Sequence, residues 1–127
     1  MELTDPRVVF FCPDTAHLTA AGMDPATMIR RHGDRLRYMH IKDLPGGAGE
    51  ERVTAAGDGA AGTEQLPIFC ELGRGVIDYG PLMTAIHDVA YDGWITVEID
   101  RSTTTPEECL RVCADYLRQE LHLSLDA

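Results

Sequence analysis

The sequence predicts an α/β fold built from parallel βα units. Three observations carry this: three short runs rich in β-branched and aromatic residues, a polar motif closing each run, and a helical pattern after each motif. Strands separated in this way run parallel, because a parallel pair needs a crossover long enough to hold a helix.

The first run is Arg7 to Cys12 (RVVFFC), followed by the motif DTAH. A helix is expected from Asp24, which suits the N-cap, with Pro25 in the first turn, Met28 and Ile29 turned inward and Gly33 as the stop. The second run is Leu36 to Ile41 (LRYMHI), ending in Lys42 and Asp43. Residues 44–66 are rich in Gly and Ala without periodicity, so a long loop is expected, mobile over Pro45 to Gly62. Glu71, Gly73 and Gly75 in ELGRG read as a tight turn feeding the next helix, which Asp78 caps and which runs through Leu82, Ile86 and Val89 to Gly93. The third run is Trp94 to Ile99 (WITVEI), closed by Asp100, with Trp94 expected in the core. Thr105 then caps the last helix, Pro106 takes its first position, and Leu110, Cys113, Ala114, Leu117 and Leu121 form its buried stripe.

Composition narrows the function. A chain of 127 residues, 44% apolar, supports a single domain over 1–127 with one core. The net charge is −10 and the eleven Lys and Arg residues form no block, which argues against a nucleic-acid partner. The basic spot Arg30, Arg31 and His32 reads as the solvated face of a helix. No run approaches the roughly 18 apolar residues of a membrane span. MELTDPR lacks the basic start and apolar stretch of a signal peptide, so a cytoplasmic address is expected. Cys12, Cys70, Cys109 and Cys113 form no CxxC pair and are expected reduced, packed as small hydrophobes.

Asp14, His17, His40 and Glu98 all fall at or just past the C-terminal end of an expected strand. In parallel α/β folds those ends share one face, and ligands bind there. Each residue also has a plainer role. Asp14 suits a turn or cap, His17 an exposed loop, His40 a core strand and Glu98 a pair with Lys42. Their common placement is what favours a site. Asp14, His40 and Glu98 would make an oxygen and nitrogen ligand set suited to Mn²⁺, Co²⁺, Mg²⁺ or Zn²⁺. An ion so held would polarise neighbouring oxygens of a hydroxy-ketone, while a nearby carboxylate or lysine moves the proton. Lys42 either stabilises an oxyanion there or balances the carboxylates.

In order along the chain, DTAHL, MHIKDL, FCELGRGVIDYGPLMTAI and AYDGWITVEID resemble the C-terminal part of the xylose isomerase-like TIM-barrel superfamily. Within it the sequence is most similar in character to inosose dehydratase and the sugar phosphate isomerases and epimerases. The resemblance implies a partial (β/α)8 TIM barrel of about three parallel βα units, corresponding to strands six to eight; a full barrel takes about 250 residues. It implies Asp14, His40 and Glu98 as metal ligands, with Mn²⁺ or Co²⁺ ahead of Mg²⁺ or Zn²⁺. Glu98 and Lys42 would be the catalytic groups, and His17 and Lys42 would contact a small polyol or keto-sugar, His17 matching a histidine that in relatives contacts substrate or a second metal. The activity implied is that of a divalent-metal-dependent sugar or cyclitol isomerase, epimerase or dehydratase, or the chain is the metal-binding C-terminal part of one. The alternative is a truncated, non-catalytic half-barrel acting only with a partner chain. Endonuclease IV-like DNA repair shares the DTAH motif but sits poorly with the acidic charge. The family's fourth ligand, a strand-five glutamate, has no counterpart, so a homo-oligomer or a chain supplying the missing strands is expected.

Overall fold

The computed structural model describes residues 1–46, 69–100 and 104–125. In chain order they form α1 (Thr15–Ala20), α2 (Pro25–His32), a 3₁₀ turn (Gly33–Arg35), β1 (Met39–Ile41), α3 (Tyr79–Asp88), β2 (Ile95–Val97) and α4 (Pro106–Gln119). The two strands pair in parallel, with Met39 opposite Ile95, His40 opposite Thr96 and Ile41 opposite Val97. The parallel α/β organisation is therefore present, in strands shorter than the sequence suggests.

Local chemistry sets the helix starts. Asp24 accepts from Thr27 N, Asp78 from Gly80 N and Thr105 from Glu108 N, each satisfying a first-turn amide that the helix itself leaves free. Pro25 and Pro106 open their helices, where a missing N–H costs nothing. α3 stops at Asp88, short of the expected Gly93, because Ala90 turns into the left-handed region at φ 50°. On α4 the buried residues are Cys109, Cys113 and Leu117, whereas Leu110, expected in the stripe, is 62% exposed.

The expected first strand does not form. Residues 7–10 are exposed, Val8 N and Val9 N bond back to Asp5 O, and only isolated parallel bridges, Phe11 to Leu36 and Asp14 to His40, join this segment to the sheet. Pro6 and Pro13 lack amide protons, and the segment has a neighbour on one side only, so no ladder extends along it. Buried Arg35 anchors it instead, donating to Met1 O at 2.8 Å, Thr4 Oγ1 at 2.9 Å and Val9 O at 3.1 Å.

The sheet divides inside from outside. Met39 and Ile41 on one face pack with Ile29, Leu82 and Ile86 of α2 and α3 and with Leu117 of α4. Each fully buried Ile or Leu there contributes about 1.5–3 kcal/mol. The alternate positions, Tyr38, His40, Thr96 and Glu98, lie on the opposite face, since strand side chains alternate. No helix covers that face among the described residues. Trp94, expected in the core, is 75% exposed for this reason, and Cys12, expected packed, is exposed too. All four cysteines are free thiols, with Cys109 and Cys113 buried in the helix interface as expected. The mobility expected of residues 45–62 falls almost wholly on 47–68, outside the described residues. No described helix is long and apolar enough to cross a membrane.

Candidate metal centre

Asp14 reaches the sheet end through a short helix the sequence did not announce. Its Oδ1 caps α1 by accepting from His17 N at 3.0 Å, and its backbone bridges in parallel to His40. The plainer capping role and the site role thus coincide in one carboxylate. Thr15, buried beside it, clamps the segment to the end of β1, donating to Lys42 O at 2.7 Å and accepting from Lys42 N at 2.8 Å.

One ligand atom each from Asp14, His40 and Glu98 lies within 4.8 Å of the other two. The convergence expected from the strand ends is met. His40 Nδ1 pairs directly with Glu98 Oε2, and the His40 ring meets Tyr38 edge-on at 5.3 Å. His17 stays exposed beside the trio, its ring 5.1 Å from that of Phe69 and its Nδ1 3.0 Å from Asp14 Oδ1.

Lys42 enters this cluster fully buried. Its Nζ lies 2.8 Å from Asp100 Oδ2, 3.2 Å from Glu98 Oε1 and 3.4 Å from Asp14 Oδ2, with the Phe69 ring 4.4 Å away. Burial pushes its ammonium toward neutrality, but bonding to Asp100, the charge of Asp14 and bonding to Glu98 outweigh this and raise its pKa above the ordinary lysine value. In turn Lys42 lowers the carboxyl of Asp100 below its usual range. Burial, and then the charges of Asp14 and Glu98, raise the nearby Cys12 thiol.

The donor set fits a divalent cation. Two carboxylates and an imidazole are hard-to-borderline donors of the kind such ions take, and their ligand atoms lie close enough together to share one. The charges agree as well. Three carboxylates against one ammonium leave two net negative charges, which a dication would neutralise.

Two residues that the sequence places at motif ends without a role complete the surroundings. Asp100 is the nearest partner of Lys42, and only its position two residues past Glu98, on the same side of the strand, could have signalled it. Asp43 is wholly buried and ties the second motif to the third. Its carboxylate accepts from Gly73 N and Gly75 N at 3.0 Å and from Ile77 N at 3.2 Å. Gly73 sits at φ 78°, and a Cβ on Gly75 would collide with Asp43 Oδ1, so both glycines are needed for this turn. Glu71, read as part of that turn, is buried and bonds to Thr104 Oγ1 at 3.0 Å, away from the trio.

The chain is similar to known proteins along nearly its whole length. The family model described as xylose isomerase-like TIM barrel matches residues 1–120. An inosose dehydratase of Lacticaseibacillus casei is 33% identical over 129 residues, covering 100% of this chain and 43% of that protein. The inosose dehydratase of Geobacillus kaustophilus is 31% identical over 137 residues, covering 100% of this chain and 42% of its own length. That of Geobacillus thermodenitrificans is 32% identical over 125 residues, with 94% and 40% covered. The chain thus spans about two-fifths of the length of the curated relatives it matches. Because the family model runs along nearly the whole chain, this protein belongs to the xylose isomerase-like TIM barrel family.

Proposed function

We propose that this chain is the metal-binding, strand six-to-eight portion of a divalent-metal-dependent cyclitol or sugar dehydratase or isomerase. The observation that carries the reading is the trio Asp14, His40 and Glu98, gathered within 4.8 Å at parallel strand ends in a chain whose whole length aligns with inosose dehydratases. Mn²⁺ or Co²⁺ is the ion the reading favours, ahead of Mg²⁺ or Zn²⁺.

When bound, such an ion supplies Lewis-acid polarisation of neighbouring oxygens on a keto-polyol, making the adjacent carbon more acidic. The chain's own groups do the rest. Glu98 takes the proton from that carbon, and in a dehydration the neighbouring hydroxyl leaves with a proton as water. Lys42 holds its ammonium against the oxygen where negative charge grows. His17, exposed beside the trio, donates to a substrate hydroxyl. The substrate class is a small cyclic or open polyol ketone, with no nucleic acid and no membrane involved.

The remaining strands come from further polypeptide, whether a partner chain or another part of the same protein. Exposed Val8, Phe10 and Trp94, and an inner face that no described helix covers, support this, because a face of that character is buried when a sheet closes. They also favour the second reading, a half-barrel inactive by itself. The test pairs this chain with the portion of the L. casei relative that it leaves unmatched. Mn²⁺-dependent loss of water from a keto-cyclitol, abolished by His40→Ala, is expected of the reassembled protein. An assembled barrel that takes up no metal contradicts the reading.

A further inference from the structure

The proposed ion site already contains a cation of the protein's own. Lys42 places its ammonium 3.4 Å from Asp14 Oδ2 and 3.2 Å from Glu98 Oε1, which are two of the three candidate ligands. A divalent ion entering between the same carboxylates would meet that positive charge at close range. Repulsion there is strong, because the lysine side chain is 0% exposed and water does not screen it. The ammonium therefore needs a partner outside the trio.

Asp100 supplies one. It is the nearest carboxylate to Nζ, at 2.8 Å, and it contributes no atom to the trio. The backbone amide and carbonyl of Lys42 are fixed by Thr15, so only the side chain is free to shift. Phe69 covers another side of the ammonium at 4.4 Å from the ring centre, an apolar surface that offers no full replacement for water. Asp100, by contrast, has its side chain 51% exposed, and so carries a charge at the edge of the cluster without heavy desolvation.

We propose that Asp100 is the positioning residue for Lys42, drawing its ammonium off Asp14 and Glu98 so that a divalent ion enters between Asp14, His40 and Glu98. The proposal rests on the ion-site reading above and extends it to a residue that is not a ligand. Without Asp100 the ammonium would rest wholly on the two ligand carboxylates and compete with the ion for them.

A double-mutant cycle on the full chain tests this with two readouts. Mn²⁺ affinity is measured by calorimetry for the unaltered chain, Asp100→Asn, Lys42→Met and the double variant. Urea unfolding of the same four proteins without metal gives the second readout. Asp100→Asn is expected to bind Mn²⁺ about tenfold more weakly. Lys42→Met is expected to bind at least as tightly as the unaltered chain, and adding Asp100→Asn to it changes nothing further. In urea the two single substitutions shift the midpoint non-additively, because each removes the same pair. Equal weakening of Mn²⁺ binding in both backgrounds would mean that Asp100 acts through its charge alone, which overturns the proposal. Strictly additive urea shifts overturn it as well. An unaltered chain that binds no Mn²⁺ counts against the ion-site reading, and the urea cycle then decides the pairing of Lys42 with Asp100.

Discussion

Thr15 and Lys42 hold each other by two hydrogen bonds through a single hydroxyl, which donates to Lys42 O at 2.7 Å and accepts from Lys42 N at 2.8 Å. This clamp fixes the start of α1 against the end of β1, and so sets Asp14 beside His40. Thr15→Val keeps the shape but leaves a buried N–H and C=O without partners. The expected cost is about 2–3 kcal/mol, read as a lower urea midpoint, together with weaker Mn²⁺ binding. Unchanged stability would show that water replaces the hydroxyl.

Asp43 is the second structural key. Asp43→Ala removes the acceptor for Gly73, Gly75 and Ile77 amides and opens the turn that leads into α3. A loss of at least about 3 kcal/mol is expected, since several buried donors lose their partner together. Gly75→Ala should act in the same direction, because its Cβ strikes the same carboxylate. Thermal melting of both variants checks this.

Asp43 and Asp100 mark where the sequence stopped being legible. The caps at Asp24, Asp78 and Thr105 were readable because capping is local: a short polar side chain bonds an amide two or three residues on. The convergence of Asp14, His40 and Glu98 was readable because strand ends in a parallel sheet share a side. The ties of Asp43 to Gly73 and of Asp100 to Lys42 were not, because they span 30 or more residues and no periodicity records them. Val8, Val9, Phe10 and Trp94 misled for another reason. Their apolar character suits a sheet covered on both faces, and among the described residues the inner face has no cover.

The buried lysine gives stability two pH limits. Lys42 has a folded pKa above its unfolded value, so its contribution is complete below about pH 10 and is lost as pH rises through the folded value. Asp100 has a folded pKa below its unfolded value, so its contribution is present above about pH 4 and is lost as pH falls through the folded one. The acid limb is the smaller, because Asp100 is half-exposed and screened. Melting temperatures measured against pH should show both limbs, and Lys42→Met should flatten both. A curve unaltered by that substitution would remove the cluster from the stability of the fold.

Thiol chemistry reports on the site from outside it. Burial pushes the Cys113 thiol up to about 11, so its alkylation by iodoacetamide at pH 8 should run at least about a hundredfold slower than that of an ordinary thiol. Exposed Cys12 should react first. Its thiol is raised partly by Asp14 and Glu98, so neutralising those carboxylates with Mn²⁺ lowers its pKa and speeds its labelling. Peptide mapping with and without Mn²⁺ measures both effects, and a Cys12 rate insensitive to the ion would place the ion elsewhere.

In the proposed site one divalent ion is held by Asp14, His40 and Glu98 together. Pulsed electron paramagnetic resonance of the Mn²⁺-loaded chain tests it directly, because a coordinated imidazole nitrogen leaves its own modulation on the electron spin echo. A single coordinated histidine nitrogen is expected, one that disappears in His40→Ala and survives in His17→Ala. A nitrogen signal that persists without His40, or a folded chain in which Mn²⁺ shows only coordinated water, would contradict it.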